Sequence, residues 1–237
     1  MDIKNEIIDF DQLDVYLIKG NLKDNPSHLK GIHQKAFECW HETWDDFYHG
    51  EHHSAGKLNS NEFTRQDEVL ALFYNDECFA ITFFKEVNWS DKSASLDAYF
   101  NAWTSEALDL LRQRGDQVLI CSQFTVAKNF RNRKTDIPWK SILFSLSIKC
   151  FLESKNDVMT GMMRVTKGMG KMSVMAGGTL LAENVVCADH ENEPADLIGF
   201  FHDGVGKVYN QHPYMEKFNE VWARRNGAFK TQLRLVA

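Results

Sequence analysis

The segment from residue 118 to residue 178 constrains the fold of this chain most, because strand-like and helical runs alternate through it without a break. Residues 118–127 are rich in Val, Ile, Phe and Thr and predict a strand. A basic connection without glycine follows at 128–136, and Pro138 then stands near the first turn of a predicted helix that extends to about Ser154. This order places positive side chains around the start of a helix.

The alternation continues on both sides of this helix. After it, the pattern predicts a strand at 158–165, a short helix at 166–176 that ends at Gly177 and Gly178, a strand at 179–187, a loop-like acidic stretch at 188–207 with an apolar run at 197–201, a helix at 215–225 and an edge strand at 232–236. Before it, the pattern predicts polar, irregular residues at 1–30 around an apolar piece at 13–18, a helix at 31–49, a loop at 50–67, a hairpin of strands at 68–74 and 78–87, and a helix at 97–114. This order predicts an α/β fold with a mixed, partly antiparallel central sheet flanked by helices.

The basic connection has the composition of an anion-binding turn. A helix N-terminus carries partial positive charge and unpaired N–H groups, and Arg131, Arg133, Lys134 and Lys140 lie around this one. A pyrophosphate would be held there by both effects. The alternative interpretation of the same residues is a solvated basic turn.

The residues from Ser122 to Val126, followed by Phe130, Arg131, Asn132 and Arg133 and then by a long apolar helix, resemble the central motif of the GNAT N-acyltransferase superfamily. Within that superfamily the pattern is most similar to the acyl-homoserine-lactone synthases and the long-chain N-acyl amino acid synthases. The resemblance implies a GNAT-like fold and transfer of an acyl group from an acyl-CoA or acyl carrier protein thioester to a small-molecule amine acceptor, with acyl carrier protein as a possible partner.

The resemblance also assigns the donor-binding residues. It implies that backbone N–H groups near 124–126 meet the thioester carbonyl and that the following turn holds the pyrophosphate. The donor-binding residues expected on this basis are Phe124, Thr125, Val126, Arg131, Asn132, Arg133, Lys134, Thr135 and Lys140. Residues 132–137 contain no glycine, which would let backbone N–H groups approach phosphate, so we expect side chains to supply most of the binding.

No residue of the segment is an evident general base or acid. The synthases carry an acidic residue where this chain has Cys121, and GNAT enzymes often carry a tyrosine near the fourth helix, where this chain has Ser173 and no tyrosine. The candidates for catalysis are Cys121, Gln123 and Ser173, although Gln123 cannot accept a proton at neutral pH. A GNAT-fold binding or regulatory protein without catalysis is therefore the first alternative function.

A cluster of histidines between His41 and His53 provides the second alternative, a metal-dependent enzyme. His41, His49, His52 and His53 are interleaved with carboxylates, but the run has no recognised ligand spacing, and no bound metal is expected. Aromatic residues accompany the histidines on the predicted helix, where they suit either a lid over an acyl chain or an ordinary helix core: Trp40, Trp44, Phe47 and Tyr48.

Composition sets the broad class of protein. Apolar residues make up 43% and charged residues 25% of the 237 residues, as in globular proteins, and the net charge of −6 argues against nucleic acid as a partner. We expect a cytoplasmic protein with reduced cysteines, no secretory signal in residues 1–11 and no integral membrane association. The expected organisation is a single GNAT-like domain with an N-terminal helical or lid region at 1–67, a core at 68–187 and a C-terminal extension at 188–237.

Overall fold

A computed structural model describes residues 6–50, 58–186 and 193–227. The chain divides into two compact units, which are described separately. The first unit contains the residues up to Phe84, Gln123–Lys149 and the residues from Tyr214, and the second contains Lys85–Ser122 and Cys150–Pro213. The expected single-domain organisation stays a prediction.

Strands and helices alternate through the described residues. The strands are β1 (Leu13–Ile18), β2 (Glu68–Tyr74), β3 (Glu77–Asn88), β4 (Gln117–Val126), β5 (Val158–Arg164), β6 (Thr179–Val186), β7 (Pro194–Phe201) and β8 (Asn226–Gly227). The α-helices are α1 (Lys30–Gly50), α2 (Asn61–Thr64), α3 (Ser105–Arg112), α4 (Lys128–Arg131), α5 (Trp139–Glu153), α6 (Met169–Met175), α7 (His202–Asn210) and α8 (Met215–Ala223). None of the helices in the described ranges is long and apolar enough to cross a membrane.

The strands form a mixed, mostly antiparallel sheet, which confirms the predicted fold class. Hydrogen-bonded neighbours follow the order β6-β7-β5-β4-β3-β2-β1-β8 in the described part of the chain. In the first unit β2 pairs antiparallel with both β1 and β3. In the second unit β7 pairs antiparallel with β5 and β6, whereas β4 and β5 run parallel and pair from Val118↔Val158 to Ile120↔Thr160.

The core of the first unit forms where α1 packs on the β2–β3 hairpin. On α1, Ala36, Cys39 and Trp40 recur at helical spacing and are buried against sheet residues such as Ile81 and Phe83. The turn of the hairpin is tight, because Asn75 and Asp76 both have positive φ, 51° and 62°. A two-residue turn of this kind matches the twist of the strands that it joins.

The second unit has its own core, to which one face of β5 and β7 contributes. Leu111 of α3, Val118 and Ile120 of β4, Val158 of β5 and Leu197 of β7 are all buried in it. The close approach of α6 and α7 requires glycine: Gly177 has φ +92°, and a Cβ atom there would lie 2.7 Å from the carbonyl oxygen of Gly204.

Some predicted elements differ from the structure. The helix expected at 97–114 is α3, only Ser105–Arg112, because 3₁₀ turns at Ala94–Leu96 and Ala98–Ala102 occupy the earlier residues. The loop-like interpretation of 188–207 is wrong where the structure describes it, since β7 and α7 lie there and bury the apolar run against β5 and β6. The expected loop at 50–67 contains α2, the irregular N-terminal region contains β1, and the basic connection begins with one helical turn, α4. The expected edge strand at 232–236 lies outside the described residues.

Candidate functional site

Strand β4 carries an unusual backbone conformation at Gln123. Its φ is +54°, in the left-handed region that residues with a side chain rarely adopt. Such a conformation costs on the order of 1 kcal/mol and persists only where the surroundings enforce it. It reorients the backbone of β4 just before Phe124, Thr125 and Val126, the residues expected to meet a thioester.

Two tryptophans of α1 donate hydrogen bonds to this part of β4. The indole N–H of Trp40 donates to Oε1 of Gln123 at 3.3 Å, and the indole N–H of Trp44 donates to the hydroxyl of Thr125 at 2.9 Å. The Thr125 hydroxyl in turn donates to the backbone carbonyl of Gln123 at 2.6 Å. Because Trp40 and Trp44 are four residues apart, both indoles lie on the same face of α1 and can reach β4 together.

These contacts also assign the aromatic residues of α1. Trp40 is fully buried and packs against Phe37, Phe63 and Phe83, so it belongs to the core. Trp44 packs partly buried against the same core. Of the two interpretations offered by the sequence, the structure supports core packing for these tryptophans and adds a polar contact with β4.

The basic turn follows directly at the end of β4. Nε of Arg131 donates to the carbonyl of Val126 at 2.6 Å, which ties α4 back to the strand. The Arg133 guanidinium lies 3.9 Å from the centre of the Phe130 ring, and one of its nitrogens is 4.0 Å from Glu77. Arg133 is therefore partly committed to contacts within the protein, whereas the terminal nitrogens of Arg131 make no hydrogen bond or ion pair with the described residues.

Contacts with the N-terminal segment, rather than glycines, fix the rest of this turn. The Glu6 N–H donates to the carbonyl of Lys134 at 2.8 Å, and the Asp136 N–H donates to the carbonyl of Glu6 at 2.9 Å. The Ile8 N–H donates to the Asp136 carboxylate at 3.1 Å. Thr135 donates its hydroxyl proton to the Ile137 carbonyl at 2.7 Å, so this hydroxyl already has an acceptor inside the turn.

Helix α5 begins from an aromatic anchor. Trp139 is buried, and its ring centre lies 5.1 Å from that of Tyr74, 4.8 Å from Phe79 and 5.0 Å from Phe130. Helix α5 follows Pro138, as the sequence predicts. The side chains next to this fixed helix start are exposed cations or amides: Arg131, Asn132, Lys134 and Lys140. Within the described ranges, Lys134 and Lys140 pair with no carboxylate.

The three candidates for catalysis are placed less favourably. Gln123 accepts the Trp40 N–H, and Cys121 is buried on β4. Ser173 is buried in α6 of the second unit and donates its hydroxyl proton to the Met169 carbonyl at 2.9 Å. Each of these side chains is thus engaged or covered in this conformation.

The histidines make ordinary structural contacts where the structure describes them. His33 is buried, and its Nε2 lies 2.8 Å from the Gly20 carbonyl oxygen. His41 packs against the rings of Phe37 and Trp40. His49 pairs with Asp45 at 3.1 Å, one helical turn away. His52 and His53 lie outside the described residues, and the remainder of the cluster contains no group of three or more ligand-type side chains that could hold a metal ion.

Sequence reasoning located the basic turn but missed what shapes it. The left-handed residue at Gln123, the indole contacts from Trp40 and Trp44 and the anchoring by Glu6 join segments far apart in the chain. The four-residue spacing of the tryptophans is the only sequence signal of this arrangement, and by itself it indicates only a shared helix face.

Comparison with solved structures identifies this architecture. A CoA-dependent acyl-homoserine lactone synthase, BjaI, whose structure contains SAM and isopentyl-CoA, superposes with a TM-score of 0.55 at 12% identity over 89% of this chain and 99% of that chain. The chain has the fold of the acyl-homoserine lactone synthases. FeeM, an N-acyl amino acid synthase from uncultured soil microbes, superposes with a TM-score of 0.53 at 13% identity over 78% of this chain and 91% of that chain.

A third structure agrees with these two. The protein TofI, solved in a ternary complex with an inhibitor and MTA, gives a TM-score of 0.50 at 10% identity over 85% of this chain and 99% of that chain. No protein-family model and no curated protein sequence matches the chain. The GNAT-like acyltransferase fold expected from the residues around β4 is therefore confirmed by structure, while the low identities leave activity to be argued from the site.

Proposed function

We propose that this protein is an N-acyltransferase that moves an acyl group from an acyl-CoA or acyl carrier protein thioester to a small-molecule amine. The observation that carries the proposal is the basic turn between the reoriented end of β4 and the start of α5. It occurs in a chain whose fold matches nearly the whole of a synthase solved with isopentyl-CoA. Four buried cysteines in the described residues are not joined in disulfides, which fits a reducing compartment, and we propose the cytoplasm.

The contacts rank the proposed donor-binding residues. Arg131, Lys134 and Lys140 are exposed beside the helix start, and a phosphate there would meet their charges and the N-terminal end of α5. Arg133 and Thr135 contribute less, because Phe130 and Glu77 hold the former and the Ile137 carbonyl accepts from the latter. Asn132 offers its exposed side-chain amide.

The proposed reaction follows from the position of the β4 backbone. A neutral amine attacks the thioester carbonyl carbon, and the developing oxyanion accepts hydrogen bonds from backbone N–H groups at 124–126. The attacking nitrogen loses a proton, the C–S bond breaks to leave an amide, and the thiolate of the donor takes up a proton and departs as a thiol. No side chain is assigned as the base, because Cys121, Gln123 and Ser173 are each covered or engaged.

Donor binding is tested by thermal-shift titration with CoA, a long-chain acyl-CoA and an acylated carrier protein. A ligand that binds the native state at about 100 times its Kd adds about 2.7 kcal/mol to the free energy of unfolding and raises the melting temperature. The double substitution Arg131→Ala with Lys134→Ala should abolish the shift, whereas Lys23→Ala, an exposed lysine elsewhere in the first unit, should keep it. No shift with any donor would refute the proposal.

The engaged candidates favour one alternative, a GNAT-fold protein that binds the thioester without turning it over. Free thiol released from a bound acyl-CoA in the presence of a panel of amines separates the two functions. Release that depends on both the amine and Arg131 supports the transferase, and binding without release supports the alternative.

A further inference from the structure

The side chain of Gln123 uses only one of its two polar groups within the described residues. Its oxygen Oε1 accepts the indole N–H of Trp40 at 3.3 Å. Its amide nitrogen Nε2 carries two N–H donors, and neither of them donates to another group in the described part of the chain. The side chain is half-buried and this nitrogen is not fully covered, so a ligand can reach it.

The contact with Trp40 fixes the direction in which the amide of Gln123 points. An indole N–H is a donor only, so the amide must turn its oxygen toward Trp40 and its NH₂ group away from the indole. Trp40 is fully buried and packs against Phe37, Phe63 and Phe83, which hold the indole in place. The NH₂ group is therefore oriented before any ligand binds.

The backbone that carries this amide is held as well. The carbonyl of Gln123 accepts the Thr125 hydroxyl at 2.6 Å, and the same hydroxyl accepts the Trp44 indole N–H at 2.9 Å. Gln123, with its φ of +54°, directly precedes the backbone N–H groups at 124–126 that the proposed reaction assigns to the thioester oxygen. One side-chain donor and these backbone donors thus come from consecutive residues of β4.

The chemistry of an amide indicates which group it serves. The NH₂ group of a glutamine is uncharged at neutral pH and neither gives up nor accepts a proton, so it cannot act as a general acid or base. It suits an oxygen that gains negative charge only during the reaction, as in an oxyanion hole. A permanent anion such as a phosphate is better met by cations, here Arg131 and Lys134.

We propose that Gln123 is a catalytic residue whose Nε2–H donates a hydrogen bond to the carbonyl oxygen of the donor thioester. This inference rests on the proposed acyl transfer and adds a side chain to it. As the amine nitrogen bonds to the carbonyl carbon, the π electrons of the C=O bond move to the oxygen, and the hydrogen bond from Gln123 strengthens. The C=O bond then re-forms, the nitrogen loses a proton, the C–S bond breaks and the thiolate takes up a proton, while Gln123 keeps its protons throughout.

Two ligands that differ in one carbonyl group test this contact without turnover. Octanoyl-CoA carries the thioester carbonyl, whereas the thioether S-octyl-CoA has a methylene group in its place and the same CoA and chain length. Calorimetric titration of the full chain gives a Kd for each, and the ratio of the two values measures the preference for the carbonyl. Effects that are common to both ligands, such as charge near the phosphates, cancel in this ratio.

Two substitutions remove the donor in different ways. Gln123→Glu keeps an oxygen for the Trp40 N–H but puts a second oxygen where the NH₂ group was, and Gln123→Met keeps the length without a polar group. In either variant the preference for octanoyl-CoA should fall by roughly fivefold or more, the value of one hydrogen bond. The rate of amine-dependent thiol release should fall on the order of 100-fold, as for the loss of one oxyanion donor.

Gln113→Glu makes the same exchange at an exposed position after α3 in the second unit, and it should leave both readouts unchanged. Should Gln123→Glu fail to fold by circular dichroism, Gln123→Met decides. An unchanged preference in the folded Gln123 variants, with both ligands still bound, would overturn the role of Gln123 and leave the transferase proposal standing. If the unaltered protein binds neither ligand, the transferase proposal fails and this inference fails with it.

Discussion

The substitution Thr125→Val tests how the left-handed conformation at Gln123 is held. Thr125 is 1% exposed, and its hydroxyl accepts the Trp44 indole N–H at 2.9 Å and donates to the Gln123 carbonyl at 2.6 Å. Valine has nearly the same shape but no hydroxyl. The change therefore removes two hydrogen bonds while it leaves the packing almost unaltered.

The magnitude follows from those two bonds. A hydrogen bond within a folded protein contributes about 1 kcal/mol net, and a buried partner left without one costs about 1–3 kcal/mol. We expect Thr125→Val to lower the free energy of unfolding by about 2–3 kcal/mol and the melting temperature by roughly 5–10 °C. Thr125→Ser, which keeps the hydroxyl and loses one methyl group, should cost only about 1 kcal/mol.

Urea unfolding of the full chain, followed by far-UV circular dichroism, measures these differences. A double-mutant cycle with Trp44→Phe isolates the contact between the two side chains, and a coupling of about 1 kcal/mol is expected. If Thr125→Val costs no more than Thr125→Ser, or if the coupling is zero, the hydroxyl does not hold the strand and the reasoning fails.

Three further changes probe the backbone and the pH dependence of stability. In urea unfolding, the free energy of unfolding of Gln123→Gly should exceed that of Gln123→Ala by about 1 kcal/mol, because glycine adopts the positive φ without strain. Equal free energies for the two variants would contradict the left-handed conformation. Gly177→Ala should cost about 3 kcal/mol in the same assay, since its Cβ would meet the Gly204 carbonyl, whereas Gly31→Ala, with open space around it, should be neutral or stabilising. Burial lowers the pKa of His212 from 6.5, so as pH falls below that value the unfolded chain takes up the proton before the folded protein does. Stability is thus lost between pH 6.5 and the folded pKa, and His212→Gln should flatten that part of a melting-temperature profile; an unchanged slope would exclude this histidine.

The sequence was sufficient for elements whose local pattern and burial agree. Helix α1, the β2–β3 hairpin, β4, α5 and β5 were predicted within a few residues of their observed bounds, because their apolar periodicity is the same periodicity that the core uses. At α7 the polar composition led to the wrong prediction of a loop. Two glycines disfavour a helix there, but the buried side chains of Val205 and Tyr209 stabilise it.

For the candidate site, too, some features could be predicted from the sequence and others could not. Arg131, Lys134, Thr135 and Lys140 could be located from sequence, because a run of cations between a strand and a helix start is a local feature. No local pattern encodes the directions of the side chains. The sequence therefore could not show that the Thr135 hydroxyl donates to a carbonyl within the turn, or that the Arg133 guanidinium packs on the Phe130 ring.

The sequence by itself determined the alternation of strands and helices and the position of the basic turn. Both depend on local features, namely the spacing of apolar residues within each element and the run of cations between two elements. Only the tertiary structure decided the order of the strands, the left-handed residue at Gln123 and the hydrogen bonds from Trp40 and Trp44 to β4. Each of these depends on contacts between segments far apart in the chain. Their free energy arises from packing and hydrogen bonds that exist only after the core has formed.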